Sequence, residues 1–178
     1  MNALRSRISR ARCRHHGVAG GISSQRRPRR AARLLVETTA GAGTTLGGRF
    51  EHFAQLLDAA ACADRLGLCI DTCHLWAAGY DVRSAAGLDE TLAALDAAAG
   101  LARVAVVHAN DSKGDRGSHL DRHEHIGRGR IGPQGFRRLV NHSALRDLPF
   151  ILETPKENAA GRPMDPVNLR ALRRMVAR

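Results

Sequence analysis

Short apolar runs that stop at a single charged or imidazole-bearing residue recur along this chain. Leu34-Leu35-Val36 stops at Glu37, Leu66 to Ile70 at Asp71, Val104 to Val107 at His108, and Pro149 to Leu152 at Glu153. Each run has the length and composition of a buried strand. Between them, apolar residues recur with a helical period. Phe50, Phe53 and Leu57 predict an amphipathic helix from Arg49 to about Asp64. Leu88, Leu92 and Leu95 predict a second, closed by Gly100. Gly132-Pro133 opens a third, with Phe136, Leu139 and Val140 on its apolar side, and Asp165-Pro166 opens a fourth, with Leu169, Leu172 and Val176 inward. Strand followed by helix, four times over, is the pattern of a parallel sheet with right-handed crossovers.

The expected class is therefore α/β. The residues closing the four runs are separated by 34, 37 and 45 positions. A (β/α)8 TIM barrel spends roughly 250 residues on eight units, about 31 each, and keeps its chemistry at the C-terminal ends of its strands. The spacing suits such a barrel with loop insertions, but the count supplies only four units. The expectation is a partial (β/α)8 barrel over residues 34–178, preceded by a separate arm over residues 1–33.

Composition sharpens that division. The formal charge is +11, a value that by itself suggests a nucleic-acid binder. Residues 1–33 carry ten Arg and no Asp, Glu or Lys, whereas the remaining 145 carry 18 basic and 17 acidic groups. The body is near neutral, and the arm reads as disordered or as sequence unrelated to the domain. No apolar run approaches the roughly 18 residues of a membrane span. Of the cysteines, Cys69 and Cys73 flank Asp71 on an apolar run, where a thiol behaves as a small hydrophobe. Without a secreted framework, a reducing cytoplasm is the expected compartment.

The chemistry gathers after the third run. His108, Asn110, Asp111, Asp121, His123, Glu124 and His125 are interspersed with five glycines up to Gly132, so this stretch is a shaped loop. For any one of these residues a structural role competes with a ligand role: Glu37 as a helix cap, Asp71 as a loop ion-pair partner, His108 as a satisfied core histidine. Together they are harder to explain that way. All C-terminal strand ends of a parallel sheet lie on one edge. Four carboxylates brought there without a cation would cost many kcal/mol or be forced to protonate. Mixed imidazole and carboxylate donors suit Zn2+ or Mn2+ better than Mg2+. Several such ions on one edge suit hydrolysis of a phosphate ester.

The stretches LLVETTAGAGTTLGGRFEHFAQLL, GLCIDTCHLWAAGYDVRS, VVHANDSKGDRGSHLDRHEHIGRGRIG and FILETPKE resemble the second half of endonuclease IV, the zinc-dependent apurinic/apyrimidinic (AP) endonuclease family. The resemblance runs from about Leu34 to the C-terminus; DRHEHIG and IDTCH are its most specific parts. It implies a TIM barrel with three Zn2+ ions that cleaves double-stranded DNA 5′ to an abasic site, leaving a 3′-hydroxyl and a 5′-deoxyribose phosphate. It further implies that Glu37 bridges two of the ions, with Asp71, His108 and Glu153 serving that pair, and that His74, Asp121 and His123 hold the third. Glu153, with Glu37, is the candidate catalytic group, and Arg122 and Lys113 are candidate DNA-phosphate contacts. His119, Glu124 and His125 are expected to shape the loop; His52 and His142 are expected on helix surfaces.

Nothing in residues 1–33 resembles the first half of that barrel, which in the family carries two further zinc-binding histidines. Ala42 stands where the family often has Gln. One metal position then keeps only Glu37, and two parallel strand edges stand open. The expectation is a weakly stable, poorly active chain that dimerises to close its edges, where the family is monomeric. Two other readings compete. One is a sugar isomerase barrel of the xylose isomerase type, in which a His-x-x-Asp strand end like His108 to Asp111 occurs. The other is an inactive fragment that binds DNA through its basic arm alone.

Overall fold

The computed structural model describes residues 32–177. The arm, apart from Ala32 and Arg33, lies outside the described residues. Strands β1 (Leu34–Glu37), β2 (Leu66–Asp71), β3 (Val104–His108) and β6 (Phe150–Ile151) form one parallel sheet in the order β1-β2-β3-β6. Helices α1 (Phe50–Ala59), α3 (Ala85–Ala99), α4 (Gly132–Asn141) and α5 (Asp165–Met175) follow the four strands in turn. A two-residue hairpin, β4 (Asp111–Ser112) with β5 (His123–Glu124), is folded from the loop after β3. The class is α/β, a partial barrel of four βα units.

The strands alternate with a period of two. Leu68, Ile70 and Val107 face the helices and are buried with Phe53, Leu88, Leu95, Phe136 and Leu139 in one core. On the opposite face, Cys69 and Asp71 of β2 share a side, as do Val106 and His108 of β3. That face is only partly covered among the described residues: Cys69 and Asp71 are buried, whereas Leu35 and Val106 are half-buried and Ile151 is 46% exposed. β1 and β6 are the two edges of this sheet, and Leu34 on β1 is 65% exposed. These edges fall where the apolar runs place them.

Several elements differ from the periodicity. The first helix ends at Ala59, because Ala60 turns to extended backbone and the alanine-rich stretch beyond Leu57 offers no further apolar stripe. An unforeseen helix, α2 (Thr72–Ala78), follows β2 without a linker. Asp71 ends the strand and caps this helix, its Oδ1 accepting the His74 N–H at 3.0 Å, and Gly79 closes it in the left-handed region at φ 109°. Leu169 on α5 and Val176 just beyond it are exposed rather than inward. The buried stripe is instead Met164, Asn168 and Leu172, with Ala171 and Met175 beside it. It includes a polar residue, which the apolar period could not count.

The hairpin and the loop to α4 are held by Asp111. This carboxylate is fully buried and accepts the N–H groups of Ser112 (2.8 Å), Gly129 (2.9 Å) and Ile131 (2.9 Å), with Gly132 at 3.2 Å. Burial pushes its pKa up, and these amides pull it back only in part. Gly129 has to be glycine here, since a Cβ would collide with the Ser112 carbonyl and the Asp111 carboxylate. Gly129→Ala is expected to cost about 1–3 kcal/mol. Thermal denaturation should show this as a Tm several degrees lower; an unchanged Tm would contradict the packing described.

Candidate metal centre

The sheet carries Glu37, Asp71 and His108 to the last positions of β1, β2 and β3, where Asp71 and His108 are register partners. Glu153 follows β6 by two residues. These four place ligand atoms within 4.8 Å of one another. The Nδ1 of His108 lies 2.8 Å from Glu37 Oε1, 3.2 Å from Glu153 Oε2 and 4.0 Å from Asp71 Oδ2. A second group stands beside the first. His74 from the first turn of α2, Asp121 from the loop and His123 from β5 also bring ligand atoms within 4.8 Å. Every residue singled out in the sequence as a metal ligand thus lies in one of two adjoining clusters, which meet where Asp71 approaches His123.

Hydrogen bonding sets the imidazoles for ligation. His74 Nδ1 lies 2.7 Å from the Thr38 carbonyl, and His123 Nδ1 lies 3.2 Å from the Glu153 carbonyl. A carbonyl only accepts, so in each ring Nδ1 carries the proton and Nε2 keeps its lone pair. Both Nε2 atoms are buried without a hydrogen-bond partner. They lie 3.2 and 3.3 Å from the same oxygen, Asp121 Oδ1, but out of hydrogen-bonding alignment with it. Two orphaned imidazole nitrogens crowded beside one carboxylate oxygen are what a cation among them would satisfy.

Electrostatics agree with that fit. Burial by itself would lower the His74 pKa, but the charges of Asp71 and Asp121, the Thr38 carbonyl and Glu37 outweigh it, and the net direction is up. The same negative field would favour a cation bound beside the ring. Two thiols lie within reach. Cys69 adjoins Glu37 and His108, and Cys73 adjoins Asp71 and His123. Burial, then the Glu37 and Asp71 charges, pushes Cys69 up to about 12. Burial likewise pushes Cys73 up to about 11, so both stay protonated thiols near neutrality.

Lys113 and Arg122 are both exposed and face each other across the hairpin, the Lys113 N–H donating to the Arg122 carbonyl at 2.9 Å. Glu124 caps its own turn through the His125 N–H at 2.8 Å. His119 adopts φ 56° and lies 2.9 Å from the Ala40 carbonyl. His125 is buried against Asn168, which also accepts the Ile126 N–H at 3.1 Å and donates to Thr154 at 2.9 Å. His52 is half-buried on α1 and accepts the Gly47 N–H; His142 follows α4 and pairs with Asp89. Asp111 is turned away from both clusters into its ring of backbone amides. The His108-to-Asp111 pair that motivates the isomerase reading therefore contributes only its histidine here.

Periodicity did not mark Thr38, Asn110 or Asn168, although each holds part of the site. Thr38 receives the Asp71 N–H on its hydroxyl at 2.9 Å, besides orienting His74. Their signal is a buried polar residue bonded to partners far away in sequence, and one chain alone does not display it.

A family model described as a Xylose isomerase-like TIM barrel matches residues 23–175. The "Probable endonuclease 4" of Chloroflexus aurantiacus is 52% identical over 143 residues, which are 80% of this chain and 50% of that protein. The crystal structure of endonuclease IV from Thermus thermophilus superposes with a TM-score of 0.68 at 46% identity, over 80% of this chain and 49% of that one. The chain belongs to the endonuclease IV family. A further solved structure, AsfvAP:AG, shares the fold at 22% identity with a TM-score of 0.61, over 82% of this chain and 55% of that one. Our chain spans about half the length of the endonuclease IV relatives it matches.

The thiol environment of this endonuclease IV member gives a direct check. Iodoacetamide at neutral pH should leave Cys69 and Cys73 unmodified in folded protein and label both after denaturation, as read by peptide mass spectrometry. Equal labelling in the two states would contradict their burial.

Proposed function

We propose that this chain is the metal-bearing half, residues 34–178, of a zinc-dependent AP endonuclease. Its reaction is hydrolysis of the phosphodiester 5′ to an abasic site in double-stranded DNA, as one step of base excision repair. The observation that carries this reading is the pair of adjoining donor groups, with the orphaned Nε2 atoms of His74 and His123 both beside Asp121 Oδ1.

Zn2+ held by His74, Asp121 and His123, and by Glu37, Asp71, His108 and Glu153, would supply charge to hold the phosphate and would lower the pKa of a nearby water. The protein groups do the rest. Glu153, open to solvent at the mouth of the site, orients the attacking water and takes its proton. Glu37 stands between His108 and His74, with Oε1 2.8 and 3.5 Å from their Nδ1 atoms, where it can serve two cation positions. His74 and His123 keep their protons on the Thr38 and Glu153 carbonyls, so they ligate and do not compete for the water's proton. Arg122 and Lys113 contact phosphates beside the cleaved bond. At the family's remaining zinc position, Glu37 is the donor that the described residues supply.

A second copy closing edge to edge would bring the four strands to eight and cover the open face, so dimerisation is part of the reading. Cys69 and Cys73 are in no disulfide, which suits a reducing cytoplasm. Among the described residues no helix is long and apolar enough to cross a membrane.

Two experiments test the proposal. Metal analysis of the purified chain should find bound zinc, and a duplex with one abasic site should be nicked at that site in a zinc-dependent way, with Glu153→Gln slower by about 10²–10⁴-fold. Zinc-free, well-folded protein would contradict it. In addition, light scattering should find a dimer; full turnover by a monomer would oppose the half-barrel account. Deleting residues 1–33 should remove only sequence-blind, steeply salt-dependent DNA binding. If the full chain bound DNA only in that way and nicked no abasic site, the fragment reading would be favoured.

A further inference from the structure

Asn110 lies two residues beyond β3 and is fully buried. Its side-chain Nδ2 donates to Asp71 Oδ2 at 2.6 Å, and its Oδ1 accepts the Glu153 N–H at 2.8 Å. A backbone N–H only donates, so the orientation of this amide is fixed. Asp71 Oδ2 is also the oxygen that looks both ways, 3.6 Å from His123 Nε2 and 4.0 Å from His108 Nδ1. The other oxygen of Asp71 is already engaged by the His74 N–H. One amide from the end of β3 therefore grips a carboxylate from β2 on one side and the backbone after β6 on the other.

We propose that Asn110 is a positioning residue that holds Asp71 Oδ2 between the two donor groups and locks it to Glu153, so that the groups assemble as one centre. With the amide removed, Asp71 is free to swing toward one group, and Glu153 loses its fixed height above His108. This inference rests on the metal reading proposed above. A hydrogen-bonding partner behind a metal ligand typically changes metal affinity by about 10–100-fold.

The experiment uses the full chain loaded with Co2+, read by visible spectrum, together with Zn2+ affinity from chelator competition. Asn110→Ala removes both bonds of the amide, and Asn110→Ser is a milder variant in case alanine impairs folding. Thr72→Val is the structural control: the Thr72 hydroxyl bonds the backbone N–H and carbonyl of Asn110, at 2.9 and 2.7 Å, and does not touch its amide. The Asn110 variants should bind Zn2+ about 10–100-fold more weakly and shift the Co2+ bands. Thr72→Val should lower Tm while keeping affinity and spectrum. Unaltered affinity and spectrum in a folded Asn110 variant would overturn the inference, as would an equal loss in Thr72→Val. A wild-type chain that binds neither ion would overturn the metal reading itself, before any variant is compared.

Discussion

The structure turns on the burial of Asp71. A carboxylate with no exposure sits at the end of a central strand, among Glu37, Glu153 and three imidazoles. An ionised carboxylate is not taken out of water unless its charge is answered. The fold answers part of it with two hydrogen bonds, from the His74 N–H and the Asn110 amide. The rest of the negative field falls on the unpartnered nitrogens of His74 and His123, which point into the same space. Sheet, hairpin and α2 can all be understood as ways of holding donors around that point.

Much of this was legible in the sequence because a parallel sheet has one chemically active edge. An apolar run that stops at Glu37, Asp71 or His108 marks both the end of a strand and the identity of the group it presents. What escaped is instructive. The helix α2 was hidden because Asp71 serves as strand end and helix cap at once, with no turn residues between. The inward stripe of α5 was misplaced because Asn168, a polar residue, occupies a position that apolar counting skips. Thr38, Asn110 and Asn168 matter through partners from other strands and loops, and such contacts become visible only when the chain is folded.

The same geometry explains why the site and its setting differ in completeness. Both donor clusters come from residues after Leu34, and the elements that carry them pack into one continuous core. The face of the sheet below them is only partly covered: Cys69 and Asp71 are buried, but Leu35 and Val106 are half-buried and Ile151, Asp121 and Glu153 are exposed. Similarity to endonuclease IV over half of that protein's length fits such a molecule, in which ligand placement is local to these four units and enclosure of the site is not.

The coordination of bound zinc tests the central claim most directly. X-ray absorption at the zinc edge of the loaded chain should show nitrogen and oxygen neighbours at about 2.0–2.1 Å, with scattering from imidazole rings. The buried thiols of Cys69 and Cys73 should stay outside the coordination sphere. A sulfur shell at about 2.3 Å, or a spectrum without imidazole, would mean that the cation is not held by the carboxylates and histidines gathered around Asp71.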